Sequence, residues 1–193
     1  NMATLFVDKI DPQSGTSLEI GSSGDTITIP SGATITNNGT QTGFGGTNTP
    51  NFSANKTSGS ISFSLSTWTK MSFDNELYDT NSAYDTSNYR FTVPSGQAGK
   101  YHFSGHFNSY ETSNSNISSW NTGFYKNGSL EIYLAQNESA NHGGYRRNMI
   151  SADLDLAVGD YVELYARVSA TAGTGRVEVG NSFTRFSGFK LIE

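Results

Sequence analysis

Alternation of apolar and polar side chains at a spacing of two residues is the feature that most constrains this chain. In the segment YVELYARV (161–168), every second residue is aliphatic: Val162, Leu164, Ala166 and Val168. The segment KYHFSGHF (100–107) alternates aromatic with polar side chains in the same way. Nowhere do apolar residues recur at helical spacing for ten residues. The sequence therefore predicts an all-β protein whose strands each bury one face.

Turn signals separate these strands at short intervals. Asn127-Gly128 lies between two β-prone runs within residues 123–134, and this dipeptide is the strongest short-range signal for a two-residue hairpin. The segment AVGDY (157–161) predicts another turn that leads into a strand, and Pro94 and Gly96 separate two strand ends. Short strands punctuated in this way indicate a β-sandwich or jelly roll.

Composition excludes several classes of function. Charged residues make up 15% of the chain, against about 25% in an average globular domain. The net charge is −5 and no basic run occurs, so a nucleic-acid-binding surface is not expected. No apolar run is long enough for a transmembrane helix, and no secretory signal is recognised, so membrane insertion is not expected. Cysteine is absent; a protein that is made in a cytoplasm and later exposed outside the cell, as virion proteins are, fits these features.

A change of composition marks a domain boundary. The segment TQTGFGGTNTP (40–50) is rich in Gly and Thr and has one large apolar residue, Phe44. Such a stretch is typical of a linker. We therefore expect a slender N-terminal segment over residues 1–45 and a globular head over residues 50–193.

The head carries a spaced aromatic motif. Its members are Phe73, Asp79, Tyr84 and Phe91, followed by Gly99, Tyr101 and Phe103. This pattern resembles the head domain of the C1q family, a jelly roll shared with the tumour-necrosis-factor ligands, and three later segments resemble later strands of that family in order: YKNGS, LAVGDYVEL and FSGFKLI. Two departures stand out: seven residues instead of five separate Phe91 from Gly99, and Gly105 replaces an aromatic residue of the motif.

The resemblance implies a homotrimer, because heads of this family pack around a three-fold axis with aromatic residues along it. On this basis Tyr101 and Phe103 are predicted to lie at the trimer interface. The head also has more aromatic residues than a core of its size needs, which favours a second buried surface. The alternative is that the tyrosines line a single sandwich core and its rim.

The N-terminal segment contains three short apolar pairs separated by Gly, Ser, Asp or Pro: Leu18/Ile20, Ile27/Ile29 and Ala33/Ile35. Ordering a residue costs about 1–2 kcal/mol, whereas burying one Ile returns roughly 1.5–3 kcal/mol. One chain alone gains too little, so Ile27, Ile29 and Ile35 are predicted to face a three-fold axis or a neighbouring protomer. The segment resembles shaft modules of bacteriophage tail and head fibre proteins; the alternative is a disordered tail.

Loop aromatics and arginines are the candidate receptor-binding residues. Trp120 ends the polar stretch NSNISSW, and the segment NESANHGGYRR (137–147) contains His142, Tyr145, Arg146 and Arg147. Stacking rings and planar donors suit sugar faces and carboxylates. The alternative is that Trp120 is half-buried in a strand and that the arginines cap trimer edges.

Neither a catalytic centre nor a cofactor is predicted. His102 and His106 share a strand face but lack a third metal ligand. Four acidic residues could together supply oxygen ligands for calcium, although a solvated loop is the favoured interpretation: Asp74, Glu76, Asp79 and Asp85. No nucleophile elbow, phosphate-binding loop or glycosidase-like carboxylate pair is recognised.

These features predict a non-enzymatic bacteriophage virion protein, either a trimeric fibre or a decoration protein. It would be made in the host cytoplasm and reside on the virion surface. Residues 1–45 would attach to capsid or tail proteins, and the head would meet a glycan or protein of the host surface. The alternative is an extracellular bacterial or animal C1q-like lectin or adhesin that belongs to no virion.

Overall fold

The computed structural model describes residues 8–39, 48–111, 117–137, 145–170, 175–177 and 183–192. The chain separates into two compact units, Asn1–Phe44 and Gly45–Glu193. All strands within the described ranges belong to the second unit, which we call the head. In these ranges, no helix has the length and apolarity needed to cross a membrane.

The described part of the head forms thirteen strands. They are β1 (Asn51–Asn55), β2 (Ile61–Ser62), β3 (Thr69–Lys70), β4 (Asn75–Asp79), β5 (Tyr84–Asp85), β6 (Arg90–Thr92), β7 (Gly99–Glu111), β8 (Ile117–Lys126), β9 (Ser129–Asn137), β10 (Arg146–Leu156), β11 (Tyr161–Ala170), β12 (Gly175–Val177) and β13 (Thr184–Lys190).

The strands form two antiparallel sheets. The first sheet has seven strands in the order β2-β12-β7-β13-β1-β4, with β10 also paired to β7. The second sheet has six strands in the order β5-β6-β11-β8-β9, with β3 also paired to β11. The prediction of an all-β protein is confirmed for the described residues.

Period-two alternation decides which side chains enter the space between the sheets. On β11 the four aliphatic residues predicted to share a face are all fully buried: Val162, Leu164, Ala166 and Val168. Aromatic rings fill most of the remaining core. Phe52 stacks on Phe91 with ring centroids 5.2 Å apart and meets Phe186 edge-on at 4.9 Å. Aromatic residues therefore supply the burial that a head with few aliphatic residues needs.

The hairpin predicted at Asn127-Gly128 is confirmed. These residues connect β8 to β9 with φ angles of 52° and 79°, as a turn with two left-handed residues requires. The Asn127 side chain also donates to Asp160 Oδ1 at 2.8 Å and accepts from the Tyr161 amide at 3.0 Å. This turn is thereby joined to the turn between β10 and β11.

The N-terminal unit consists of extended backbone and tight turns over residues 8–39. The Asp25 amide donates to the Ser22 carbonyl at 2.9 Å, and the Ala33 amide donates to the Pro30 carbonyl at 3.1 Å. No strand pairing occurs within residues 8–39. Their isoleucines are exposed in the single chain: Ile27, Ile29 and Ile35. The three-fold shaft predicted for them stays a prediction.

Candidate functional site

Tyr101 and Phe103 do not lie at a surface. Both residues are fully buried between the two sheets of one protomer, so their predicted place at a trimer interface is wrong. Phe103 packs against Phe91 at 5.5 Å, and the Tyr101 hydroxyl donates to the Gln97 carbonyl at 2.5 Å. Burial raises the pKa of Tyr101 to about 12. The inward face of β7 is occupied by the protomer's own core, so these two rings are not accessible to a second chain.

Trp120 is also a core residue. Its indole meets the Phe63 ring edge-on at 5.3 Å and the Phe107 ring at 6.4 Å, and only 2% of the residue is exposed. The prediction that Trp120 binds a receptor is therefore wrong. Trp120 lies on β8 on the same side as Phe124, and this side faces the first sheet.

The second predicted recognition segment is partly described. His142 lies outside the described residues. Tyr145 is exposed and packs against Tyr110, with ring centroids 5.0 Å apart. Arg146 and Arg147 begin β10 and pair with Ser109 and Asn108 of β7. These residues are thus at one end of the first sheet, and their role in receptor binding stays a prediction.

An uncovered apolar area of the head lies along one rim of the sandwich. Strand β10 pairs with β7, strand β9 pairs with β8, and neither has a second partner in the described part of the chain. The two open edges enclose a groove of about 360 Å³, which we call the edge groove; it is lined by Ser104, Ile132, Tyr133, Leu134, Met149, Ile150 and Ser151. Met149 is 66% exposed and Leu134 is 56% exposed.

The register of β9 explains why these side chains are apolar and yet exposed. Ile132 pairs with Phe124, and Leu134 pairs with Thr122. The side chains of Phe124 and Thr122 are both buried between the sheets. Ile132 and Leu134 therefore point toward the interior, but no element of the described head closes the rim over them. A partner that closed it would bury several apolar side chains, each worth roughly 1.5–3 kcal/mol.

A second groove of about 550 Å³ shares Met149 with the edge groove and is more polar. Its lining includes His106 and Arg147. His106 pairs with Arg185 on one side and with Met149 on the other. Burial, and secondarily the positive charge of Arg185, lowers the pKa of His106. The open rim thus combines an apolar centre with cationic side chains at one end.

The acidic segment considered for calcium is used for contacts within the head. Burial alone would raise the pKa of Asp74, but the Lys56 ammonium at 2.7 Å and hydrogen bonds from Thr57 and Ser58 outweigh it and lower the pKa to about 2. Asp79 accepts from the amides of Ala83 and Tyr84. No group of three or more potential ligands within the described residues is placed to hold a metal ion.

Comparison with known proteins identifies the fold. No protein-family profile matches the sequence. No curated protein matches it either. Among solved structures, the chain is similar to the globular domain of zebrafish complement 1qA protein, with a TM-score of 0.50 and 18% sequence identity. The head has a C1q-like fold. This similarity covers 74% of the present chain and 97% of the zebrafish chain, and at this level of identity it concerns the fold alone.

The C1q-like head brings together residues that sequence reasoning did not select. The edge groove joins residues 132–134 of one sheet to residues 149–151 of the other. The segment SLEIYLAQN shows the two-residue alternation, so a strand could be predicted from it. The position of that strand at an open rim depends on the order of strands in the sheets.

Proposed function

We propose that this chain is a homotrimeric structural protein of a bacteriophage virion, either a fibre or a decoration protein. The N-terminal unit attaches to a capsid or tail protein, and the C1q-like head is directed outward to the host surface. The protein is made in the host cytoplasm and acts without catalysing a reaction.

The observation that carries this proposal is the set of apolar side chains left uncovered in both units. The head exposes Leu134 and Met149 at its edge groove, and the N-terminal unit exposes Ile27, Ile29 and Ile35. Large apolar areas on a protein surface mark sites of association. Copies of the same chain related by three-fold symmetry can cover both sets at once.

The attachment of the N-terminal unit is supported by the asymmetry of the chain. Residues 8–39 form no sheet and no core, whereas the head has a complete core of its own. The short apolar pairs of the first unit also resemble shaft modules of phage fibres. We therefore assign attachment to the first unit and outward presentation to the second.

The test uses virions of the phage whose genome encodes the chain. Mass spectrometry of purified virions is expected to detect the protein, and a variant that lacks residues 1–45 is expected to be absent from them. Detection of the truncated head at full occupancy would contradict the proposed polarity. Absence of the intact protein from virions would reject the virion role and favour an extracellular C1q-like adhesin.

A further inference from the structure

The outer face of the second sheet carries four neighbouring aromatic rings, which we call the aromatic patch: Trp68, Tyr125, Tyr133 and Tyr165. They come from the segment before β3 and from strands β8, β9 and β11. Each faces away from the core: on β11 the buried neighbours of Tyr165 are Leu164 and Ala166. The patch is therefore separate from the core rings and shares only Tyr133 with the edge groove.

The four rings contact one another across three strands. Tyr125 stacks on Tyr165 with ring centroids 4.0 Å apart and an interplanar angle of 28°. Trp68 meets Tyr125 edge-on at 5.9 Å and Tyr133 at 6.0 Å. Gly123 pairs with both Tyr165 and Tyr133, and a Cβ there would lie only 3.2 Å from the Tyr133 Cβ. The same Cβ would lie 2.9 Å from Leu130 Cδ1, so the Leu130 side chain covers Gly123 and the rings and Leu130 together form one apolar surface.

Two polar atoms without partners lie next to this surface. Asn121 and Arg167 are paired directly across β8 and β11, one outward-facing position beyond Gly123 and Tyr165. Asn121 is only 8% exposed, yet its Oδ1 accepts no hydrogen bond from the described residues, and Arg167 Nε donates none. Burial raises the pKa of Tyr125. The nearby Arg167 charge acts in the opposite direction and is the smaller effect. Both atoms are buried and lack a partner, on residues paired across the two strands beside the patch, so a ligand reaches them when a covering side chain moves.

The Lys70 charge beside the patch is neutralised within the head. Lys70 lies 6.0 Å from the centre of the Tyr165 ring, and its ammonium pairs with the buried Glu163 carboxylate at 2.5 Å. The patch thus offers apolar faces and neutral hydrogen-bonding atoms, with Arg167 as the charged residue at its border. This combination does not favour a strongly anionic ligand.

We propose that the aromatic patch binds a neutral glycan. The C–H face of a pyranose ring can pack on the accessible parts of these rings, of which Tyr133 is exposed and the other three are half-buried. A sugar hydroxyl is both a donor and an acceptor, so one hydroxyl can donate to Asn121 Oδ1 while it accepts from Arg167 Nε–H. A few converging polar atoms beside an apolar surface are what orients a small ligand. This inference rests on the proposed function, since it names the class of host-surface molecule that the head contacts.

The test measures binding of the full chain to four neutral hexasaccharides: cellohexaose, maltohexaose, mannohexaose and chitohexaose. Isothermal titration calorimetry is expected to show saturable binding of at least one of them at millimolar concentration. For that saccharide, Trp68→Ala is expected to weaken binding by about tenfold, because it removes a stacking ring. Arg167→Lys keeps the charge but removes the Nε donor, and it is expected to weaken binding as well.

The matched control is Tyr78→Ala on β4 of the first sheet, because Tyr78 and Tyr133 are both 54% exposed. It is expected to bind like the wild type, and sedimentation is expected to show the same oligomer for all variants. The inference is overturned if the wild type binds none of the four saccharides, or if Trp68→Ala and Arg167→Lys both retain wild-type affinity. Neither result affects incorporation into virions, so failure of this inference is distinguishable from failure of the proposed function.

Discussion

Gly105 shows how a single residue adapts the core of this head. A Cβ at this position would lie 2.7 Å from Leu164 Cδ2 on the opposite sheet, closer than side chains approach in folded proteins. The ring expected here from the C1q pattern has no room, and the neighbouring strand β13 supplies Phe186 directly opposite. Phe186 therefore supplies, from the neighbouring strand, an aromatic ring beside the position where the motif has one, and the fold is unchanged.

Gly105→Ala is expected to lower the free energy of unfolding by about 1–3 kcal/mol, because the added methyl group overpacks the core. Chemical denaturation at one fixed protein concentration measures this change. Ser95→Ala is the control, since Ser95 is exposed in the turn that precedes β7, and its effect should stay within about 0.5 kcal/mol. Equal stabilities of Gly105→Ala and wild type would contradict the close approach of Leu164.

Asp74 makes the head sensitive to acid. Its pKa is about 2 in the folded head, against an ordinary value of 3.8, so the unfolded chain binds the proton more readily. The stabilisation is complete above about pH 4 and is lost as the pH falls toward 2, with a total of about 2 kcal/mol.

The variant Asp74→Asn is therefore expected to be less stable than wild type at neutral pH and to lose less stability between pH 4 and pH 2. Lys56→Gln should have a similar effect, because it removes the ammonium that lowers the pKa. Urea denaturation at several pH values measures both. Parallel stability profiles for wild type and Asp74→Asn over this interval would show that the ion pair does not contribute.

At the scale of secondary-structure elements, two turns are joined through one side chain. Asn127 begins the β8–β9 turn and bonds to Asp160 and to the Tyr161 amide of the β10–β11 turn. Asp160 also accepts from the Ala157 amide at 2.9 Å. One end of the sandwich is thereby held by a small polar network rather than by apolar burial.

Two variants separate the backbone role of Asn127 from its hydrogen bonds. Asn127→Gly keeps the left-handed conformation and loses the side-chain bonds, which should cost about 1–3 kcal/mol. Asn127→Ala should cost about 1 kcal/mol more, because alanine is strained at a φ of 52°. Thermal and chemical unfolding provide the comparison. If both variants are equally stable, the conformational part of this explanation is wrong.

At the scale of the whole molecule, the open rim of the head is where we propose that protomers contact one another. Met149→Asp introduces a charge into the edge groove and is expected to convert a trimeric head into monomers, because burying an unpaired carboxylate is unfavourable. Val158→Asp is the control, since Val158 is exposed in the β10–β11 turn and does not line the groove. Analytical ultracentrifugation distinguishes the two variants. A wild type that is monomeric at micromolar concentration would reject the trimer.

The N-terminal unit should depend on association more strongly than the head does. Replacing Ile27 and Ile29 together with Ser is expected to make this unit more sensitive to protease, while the head stays trimeric through its edge groove. Limited proteolysis combined with ultracentrifugation measures both properties. A variant segment as resistant to protease as the wild type would show that these isoleucines are not buried by neighbouring copies.

The sequence by itself determined the elements and the fold class of this protein. Two-residue alternation located strands such as residues 161–168, and Asn127-Gly128 located a hairpin, because both signals are local properties of the backbone. The aromatic motif then led to the C1q-like fold, since its spacing reflects which strands face the same core.

Only the tertiary structure decided what each face of a strand contacts. Alternation separates Tyr101 and Phe103 from His102, but it does not say which set meets the second sheet and which meets a partner. The edge groove and the aromatic patch both join residues that are distant in sequence, because the order of strands in a sheet is set by long-range pairing. The candidate interfaces therefore emerge from the packing of the sheets, whereas the strands that carry them can be predicted from the chain.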